Sequence, residues 1–218
     1  MTPAGKISLF YTVASRLLAL VPRRAFAFAF ASLIVVAALP GCQKYDLLVE
    51  KDQTADQKWA DVEAQLQRRY DLIPNLVATV KAAAKHEEDT LAQVTQARAQ
   101  AAQIKMTSDD LTDPAKMAAF QKAQDQLKGS LSRLMVVQEQ YPDLKANQNF
   151  HALQVELEGT ENRILRSREE YNAAVKDYNA ELAKVGGQVV NKVTGKTFKP
   201  RVYFSASAEA QAAPKVSF

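Results

Sequence analysis

One cysteine and two histidines in 218 residues leave little room for metal or redox chemistry. Cys42, His86 and His151 cannot assemble a Cys/His zinc site, and a lone cysteine cannot close an internal disulfide, so the fold has to be held by packing. Acidic residues are missing altogether from the first 41 positions, which carry Lys6, Arg16, Arg23 and Arg24. The whole chain has 28 basic and 24 acidic residues, so setting those four aside leaves 24 against 24 in residues 42–218. The basic pI of about 9.1 therefore belongs to the leader, and the nucleic-acid partner it would suggest is excluded.

Catalytic signatures are lacking as well. A di-iron centre in a helical bundle needs Glu-x-x-His pairs, which set both ligands on one face a turn apart. Ala83 and Gln148 stand three residues before the two histidines instead. Gly195-Lys196-Thr197 resembles the end of a phosphate loop, but Val190 occupies the position of the required glycine. No nucleophile motif ties a serine to either histidine. His86-Glu87-Glu88, the densest His/carboxylate cluster, reads as a charged helix surface. No catalytic, cofactor-binding or metal-binding residue is assigned, no cofactor is expected, and the chain is read as not an enzyme.

What is present begins with the leader. After Arg23-Arg24, Ala25 to Leu39 form an apolar run of fifteen residues, the length of a signal-peptide core and short of the roughly 20 residues a spanning helix needs. Leu39-Pro40-Gly41-Cys42 then resembles the bacterial lipobox, in which the cysteine is acylated and the preceding segment removed. The other reading is an uncleaved anchor, with Cys42 an ordinary thiol. Either way, residues 1–41 are a signal peptide or membrane anchor, and the body is exported to the bacterial envelope. Lipidation at Cys42 would add roughly 0.8 kcal/mol of membrane affinity per buried methylene.

From Tyr45 to Lys105 apolar residues recur at helical spacing. Trp59, Leu66, Ile73, Val80, Val94 and Ala101 share a seven-residue ladder. The pattern predicts a helix of about sixty residues, or two in register, kinked near Pro74, with Asp71 able to cap a restarted helix. Asp113-Pro114 opens a second helix over about 114–141. A third runs over 148–185, with Phe150, Leu157, Ile164, Tyr171, Tyr178 and Val185 seven apart, and Gly186-Gly187 ends it. Short connections force sequential helices to run antiparallel, so the fold class is all-α, a long up-down bundle over 42–187. Residues 188–218 form an extended tail whose early part docks and whose Ala/Ser-rich later part is loose. Tyr171-Asn172 and Tyr178-Asn179 echo each other one heptad apart.

Glu87 interrupts the ladder between Val80 and Val94. A carboxylate on a buried seam requires a partner, and Arg163 or Asn162 on the third helix is the candidate if those helices pack. A locally rotated helix with Glu87 in solvent is the other reading. Arg68, Arg69 and Asp71 near the proline are a candidate interaction surface, or else Asp71 caps while the arginines snorkel along the bundle.

Several motifs occur in order: Gln67-Arg68-Arg69-Tyr70-Asp71-Leu72-Ile73-Pro74-Asn75-Leu76-Val77, His86-Glu87, Tyr141-Pro142-Asp143-Leu144-Lys145-Ala146, Thr160-Glu161-Asn162-Arg163-Ile164, Tyr171-Asn172, and the terminal Pro214-Lys215-Val216 with Phe218. Together they resemble the LemA family over about residues 45–218. The resemblance implies a membrane-anchored helical domain with no established enzymatic activity. Val185-Gly186-Gly187 departs from the Phe-Pro that many members carry after the last long helix. The expected role is a membrane-anchored interaction or scaffold protein that meets an unidentified envelope protein, with an envelope enzyme accessory or a membrane-remodelling protein as alternatives.

Overall fold

The computed structural model describes residues 23–195 and 197–205, with side chains from residue 43 onward. The backbone clusters into two units, Met1–Leu47 and Leu48–Phe218. The described part of the first unit is helical and belongs to α1 (Arg23–Ala83). Cys42 lies on this helix, and its side chain falls outside the described set, as do those of Ala25 to Leu39. Among the residues whose side chains are described, no helix is long and apolar enough to cross a membrane.

The second unit is an all-α bundle. Along α1 the stripe Leu48, Ala55, Trp59, Val62, Leu66, Ile73, Leu76 and Val80 is buried, at the spacing that keeps one face of a helix on a core. The chain stays helical through Pro74, which is exposed while Leu72, Ile73 and Leu76 around it are buried. That burial offsets the roughly 3 kcal/mol an interior proline costs. Asp71 caps nothing; its carboxylate accepts from Gln67 Nε2 at 2.7 Å, one turn back on the same helix.

The interruption comes ten residues later than Pro74. α1 ends at Ala83, residues 84–87 turn, and α2 (Glu88–Gln103) begins, so the expected helix over 45–105 is two helices. They do not continue in one direction. Arg98 Nε donates to the Tyr70 carbonyl at 2.7 Å, and the Tyr70 hydroxyl donates to the Ala101 carbonyl at 3.3 Å, so α2 folds back beside α1 as a hairpin. Glu88 and Asp89 in its first turn offset the positive end of the helix dipole.

A loop leads to α3 (Pro114–Val137), where Asp113 accepts from the Ala115 and Lys116 amides and Pro114 takes the first helical position. A 3₁₀ turn and the single turn α4 (Pro142–Lys145) reverse the chain. Asn147 then caps α5 (Gln148–Ala183), accepting from the Asn149 and Phe150 amides at 2.9 and 3.1 Å. α5 is antiparallel to α1: Arg68 pairs with Glu156, Gln65 with Arg163 at 3.2 Å, and Lys58 with Glu170 at 2.7 Å.

Gly186-Gly187 does not end a helix. Lys184 is extended, and Val185–Val193 form a further helix, α6, with both glycines in its first turn. A Cβ on Gly187 would lie 2.6 Å from the carbonyl oxygens of Glu181 and Leu182, so only glycine lets α6 fold back against the end of α5.

Candidate functional site

Residues 197–205 have no regular secondary structure, and α5 supplies a row of polar hands for them. Asn179 accepts from the Arg201 amide at 2.9 Å and donates to the Arg201 carbonyl at 2.8 Å. Asn172 does the same for Phe204 at 2.8 and 3.0 Å, and Asn191 on α6 for Phe198 at 2.8 and 2.9 Å. Between these amides the Tyr178 hydroxyl donates to the Lys199 carbonyl at 3.0 Å and the Tyr171 hydroxyl to the Val202 carbonyl at 3.2 Å. The periods match. Seven helical residues advance about 10.5 Å, and three extended residues advance about 10 Å. The echo of Tyr-Asn one heptad apart is therefore a ruler for an extended chain, gripping every third residue of it.

Burial makes this grip dry. Tyr171 and Tyr178 are inaccessible to solvent, and their burial pushes both phenols up to about 12, so at neutral pH they act as neutral hydrogen-bond donors. Phe204 enters an aromatic cluster with Trp59, Phe120 and Tyr171, one ring from each long helix it touches, with centroids 5.4 to 6.3 Å apart. Arg201 carries the charge. Its side chain is 2% exposed, with Nε and Nη2 3.0 and 2.8 Å from Asp52 Oδ1. Nη1 sits 2.8 Å from Asp56 Oδ1, a charge contact whose N–H direction misses the oxygen. Burial alone would lower the guanidinium pKa, and the two carboxylates more than offset it. The Val202 amide donates to the Leu111 carbonyl at 2.8 Å, so the tail is fixed to α1, α5 and the loop before α3.

Beside the docked tail a groove of about 420 Å³ opens between α3 and α5, with Phe204 and Ser205 along its wall. Arg69 is in its floor with a side chain 3% exposed, pairing with Glu161 at 3.0 Å and with Gln124. Gln124 in turn donates to the Tyr70 hydroxyl at 2.7 Å, and Arg69 Nε has no acceptor among the described residues. Arg168 lies over the Phe204 ring at 4.5 Å and donates to the Ser205 carbonyl at 3.3 Å; burial lowers its pKa.

The residues singled out in the sequence separate. Arg69 and Asn162 line the groove. Arg69 does not snorkel, and its charge is spent inside the bundle on Glu161. Arg68 and Asp71 lie outside the groove, on Glu156 and Gln67. Glu87 meets neither Asn162 nor Arg163. It accepts from the Tyr141 hydroxyl at 3.1 Å and from Thr90 at 3.3 Å, joining the α1–α2 turn to the residue before α4. Arg163 bonds Gln65 and Thr160, and Gln65 stands eighteen residues, about 27 Å, before the end of α1. The tail contacts of Asn172, Asn179 and Arg201 were missed; the Tyr-Asn echo was their one visible trace. Among the described residues no group of three His, Cys, Asp or Glu side chains is placed to hold a metal ion.

Fold and site together define an all-α bundle with its own tail held along one helix beside a polar groove. A family model described as the LemA family matches residues 58–218, and the chain belongs to that family. Two magnetosome proteins of Paramagnetospirillum magneticum, MamQ 1 and MamQ 2, are each 39% identical to it over 75 residues, 34% of this chain and 27% of the relative. Magnetosome protein MamQ of Magnetospirillum gryphiswaldense is 35% identical over a stretch of the same length. The match thus spans about a quarter of the length of these curated relatives.

Proposed function

We propose that this protein is a membrane-anchored helical scaffold of the bacterial envelope, which meets an envelope protein and has no catalytic centre of its own. The observation that carries this reading is the tail ruler beside the groove. Among the described residues, α5 grips the extended backbone of the chain's own tail through paired amide and phenol hydrogen bonds, the chemistry of a peptide-binding surface. The polar groups in the groove floor support it too, because Arg69, Gln124 and Tyr70 bond one another within the bundle. The anchor is either the acyl chains on Cys42, once the apolar run before it has been removed, or the retained apolar run itself.

Two experiments test this. A photo-crosslinking residue at Asn162, on the groove, in the full chain in its own membranes should capture a reproducible envelope protein. Repeated purification with no such product refutes the scaffold. Inhibiting lipoprotein signal peptidase should make a larger precursor accumulate. An unchanged size assigns the retained anchor instead.

A further inference from the structure

We infer that α6 is a second membrane contact, lying on the lipid headgroup layer through Val185, Val189 and Val193. These three valines are 79%, 52% and 77% exposed, and their spacing of four residues aligns them along one face of the helix. Single exposed apolar residues are ordinary on a protein surface, whereas an aligned stripe of three on one short helix is not. The stripe cannot turn inward, because the opposite face is already committed. Gly187 and Val190 are buried, Gly187 touches the end of α5 backbone to backbone, and Asn191 is bonded at both ends of its amide to Phe198.

Its position chooses the occupant. Lys58 pairs with Glu170, so on antiparallel helices the level of Leu48, ten residues earlier on α1, corresponds to Ala180 on α5. α6 starts five residues beyond that, at the end of the bundle where α1 enters it. Cys42 is six residues before Leu48, a tether of at most about 20 Å even when fully extended. If the chain is anchored as proposed above, on which this inference rests, that end of the bundle is held at the bilayer. Lys192, the next residue but two after Val189 on α6, lies beside the stripe and is exposed, matching anionic headgroups, whereas the charge of Lys184 is paired with Glu181 at 2.6 Å. The partner is a lipid surface bearing negative charge.

The test uses the full chain, anchor included, reconstituted into vesicles of phosphatidylglycerol and phosphatidylcholine. Val189→Trp and, as comparator, Val155→Trp place an indole on α6 or on the far part of α5, and the signal of the buried Trp59 is subtracted with the unaltered protein. Emission from Val189→Trp should shift to the blue and be quenched by lipid brominated near the headgroup, and Val155→Trp should stay water-like. Lys192→Glu should reduce that quenching in phosphatidylglycerol. Water-like, unquenched emission from Val189→Trp in protein that still floats with the vesicles overturns the contact and leaves the anchor standing. Equal quenching at both positions also overturns it, as does a blue shift that persists in detergent and grows with protein concentration, which would assign the stripe to a second copy. Protein that fails to float refutes the anchor and the contact together.

Discussion

Replacing Arg201 by methionine keeps most of the side chain's volume and removes the charge that ties the tail to α1. The guanidinium is 2% exposed and faces two carboxylates, Asp52 and Asp56, whose side chains are 22% and 29% exposed. Two charges about 4 Å apart attract by roughly 4 kcal/mol at an effective dielectric constant near 20, and desolvation cancels a large part of that. Deleting one partner of a buried pair costs about 3–5 kcal/mol, because the charge left behind stays desolvated. Asp52 and Asp56 keep partial access to water, so Arg201→Met belongs at the low end, about 3 kcal/mol, a shift of roughly a hundredfold in the equilibrium. Trp59 is the natural reporter, since its ring stacks on Phe204 with centroids 5.7 Å apart and planes 17° from parallel. Urea titrations should show Trp59 emission changing at lower denaturant in the variant, ahead of the loss of helical signal if the tail peels away first. Asp52→Asn and Asp56→Asn, alone and with Arg201→Met, complete the cycle. Strict additivity, or a loss under about 0.5 kcal/mol for Arg201→Met, would show that this charge link does not hold the tail.

Asn179→Ala removes two hydrogen bonds to one residue, which should cost about 1–3 kcal/mol and abolish exchange protection of the Arg201 amide before that of Phe204; Asn172→Ala should reverse the order, and unchanged protection in both would refute the ruler. Gly187→Ala drives a methyl into two carbonyl oxygens 2.6 Å away, so α6 must lift from α5. A melting temperature within error of the parent would show that the helices are not in that close contact. In an ultraviolet titration of the seven tyrosines, two should ionise near pH 12 instead of near 10. Both phenols hold their proton more tightly folded than unfolded. Their contribution to stability is thus complete below about pH 10 and is lost as pH rises through about 12. Seven tyrosines titrating together in the native protein would contradict their burial.

The turn at residues 84–87 shows how a strong sequence signal can hide a feature. Leu66, Ile73, Val80, Glu87, Val94 and Ala101 keep one seven-residue phase on both sides of it, and periodicity reports a buried face without reporting the direction of the chain. The cue that was present is electrostatic: Lys81 and Lys85 close one helix, and Glu87, Glu88 and Asp89 open the next, as the two dipoles prefer. Glu87 breaks the apolar ladder, and its partner, the Tyr141 hydroxyl, cannot be read from the spacing. Tyr141 approaches it only because α2 doubles back and α3 returns to the same end of the bundle. The glycine pair had the same ambiguity, since a glycine that stops a helix and a glycine that lets two helices touch are written alike.

The sequence by itself determined the class of fold and the chain's internal rhythm. Heptad spacing, Asp113-Pro114 as a cap and helix start, and a charge-neutral body after Cys42 are local or periodic properties, which a linear string records. Only the tertiary structure decided the partners: Arg201 with Asp52 and Asp56, Asn172 and Asn179 with a tail more than twenty residues onward, Arg69 turned into the bundle with Glu161. Those contacts join segments distant in sequence, and no spacing along the chain encodes which buried charge finds which. Packing settles that, because each desolvated group must end beside its complement.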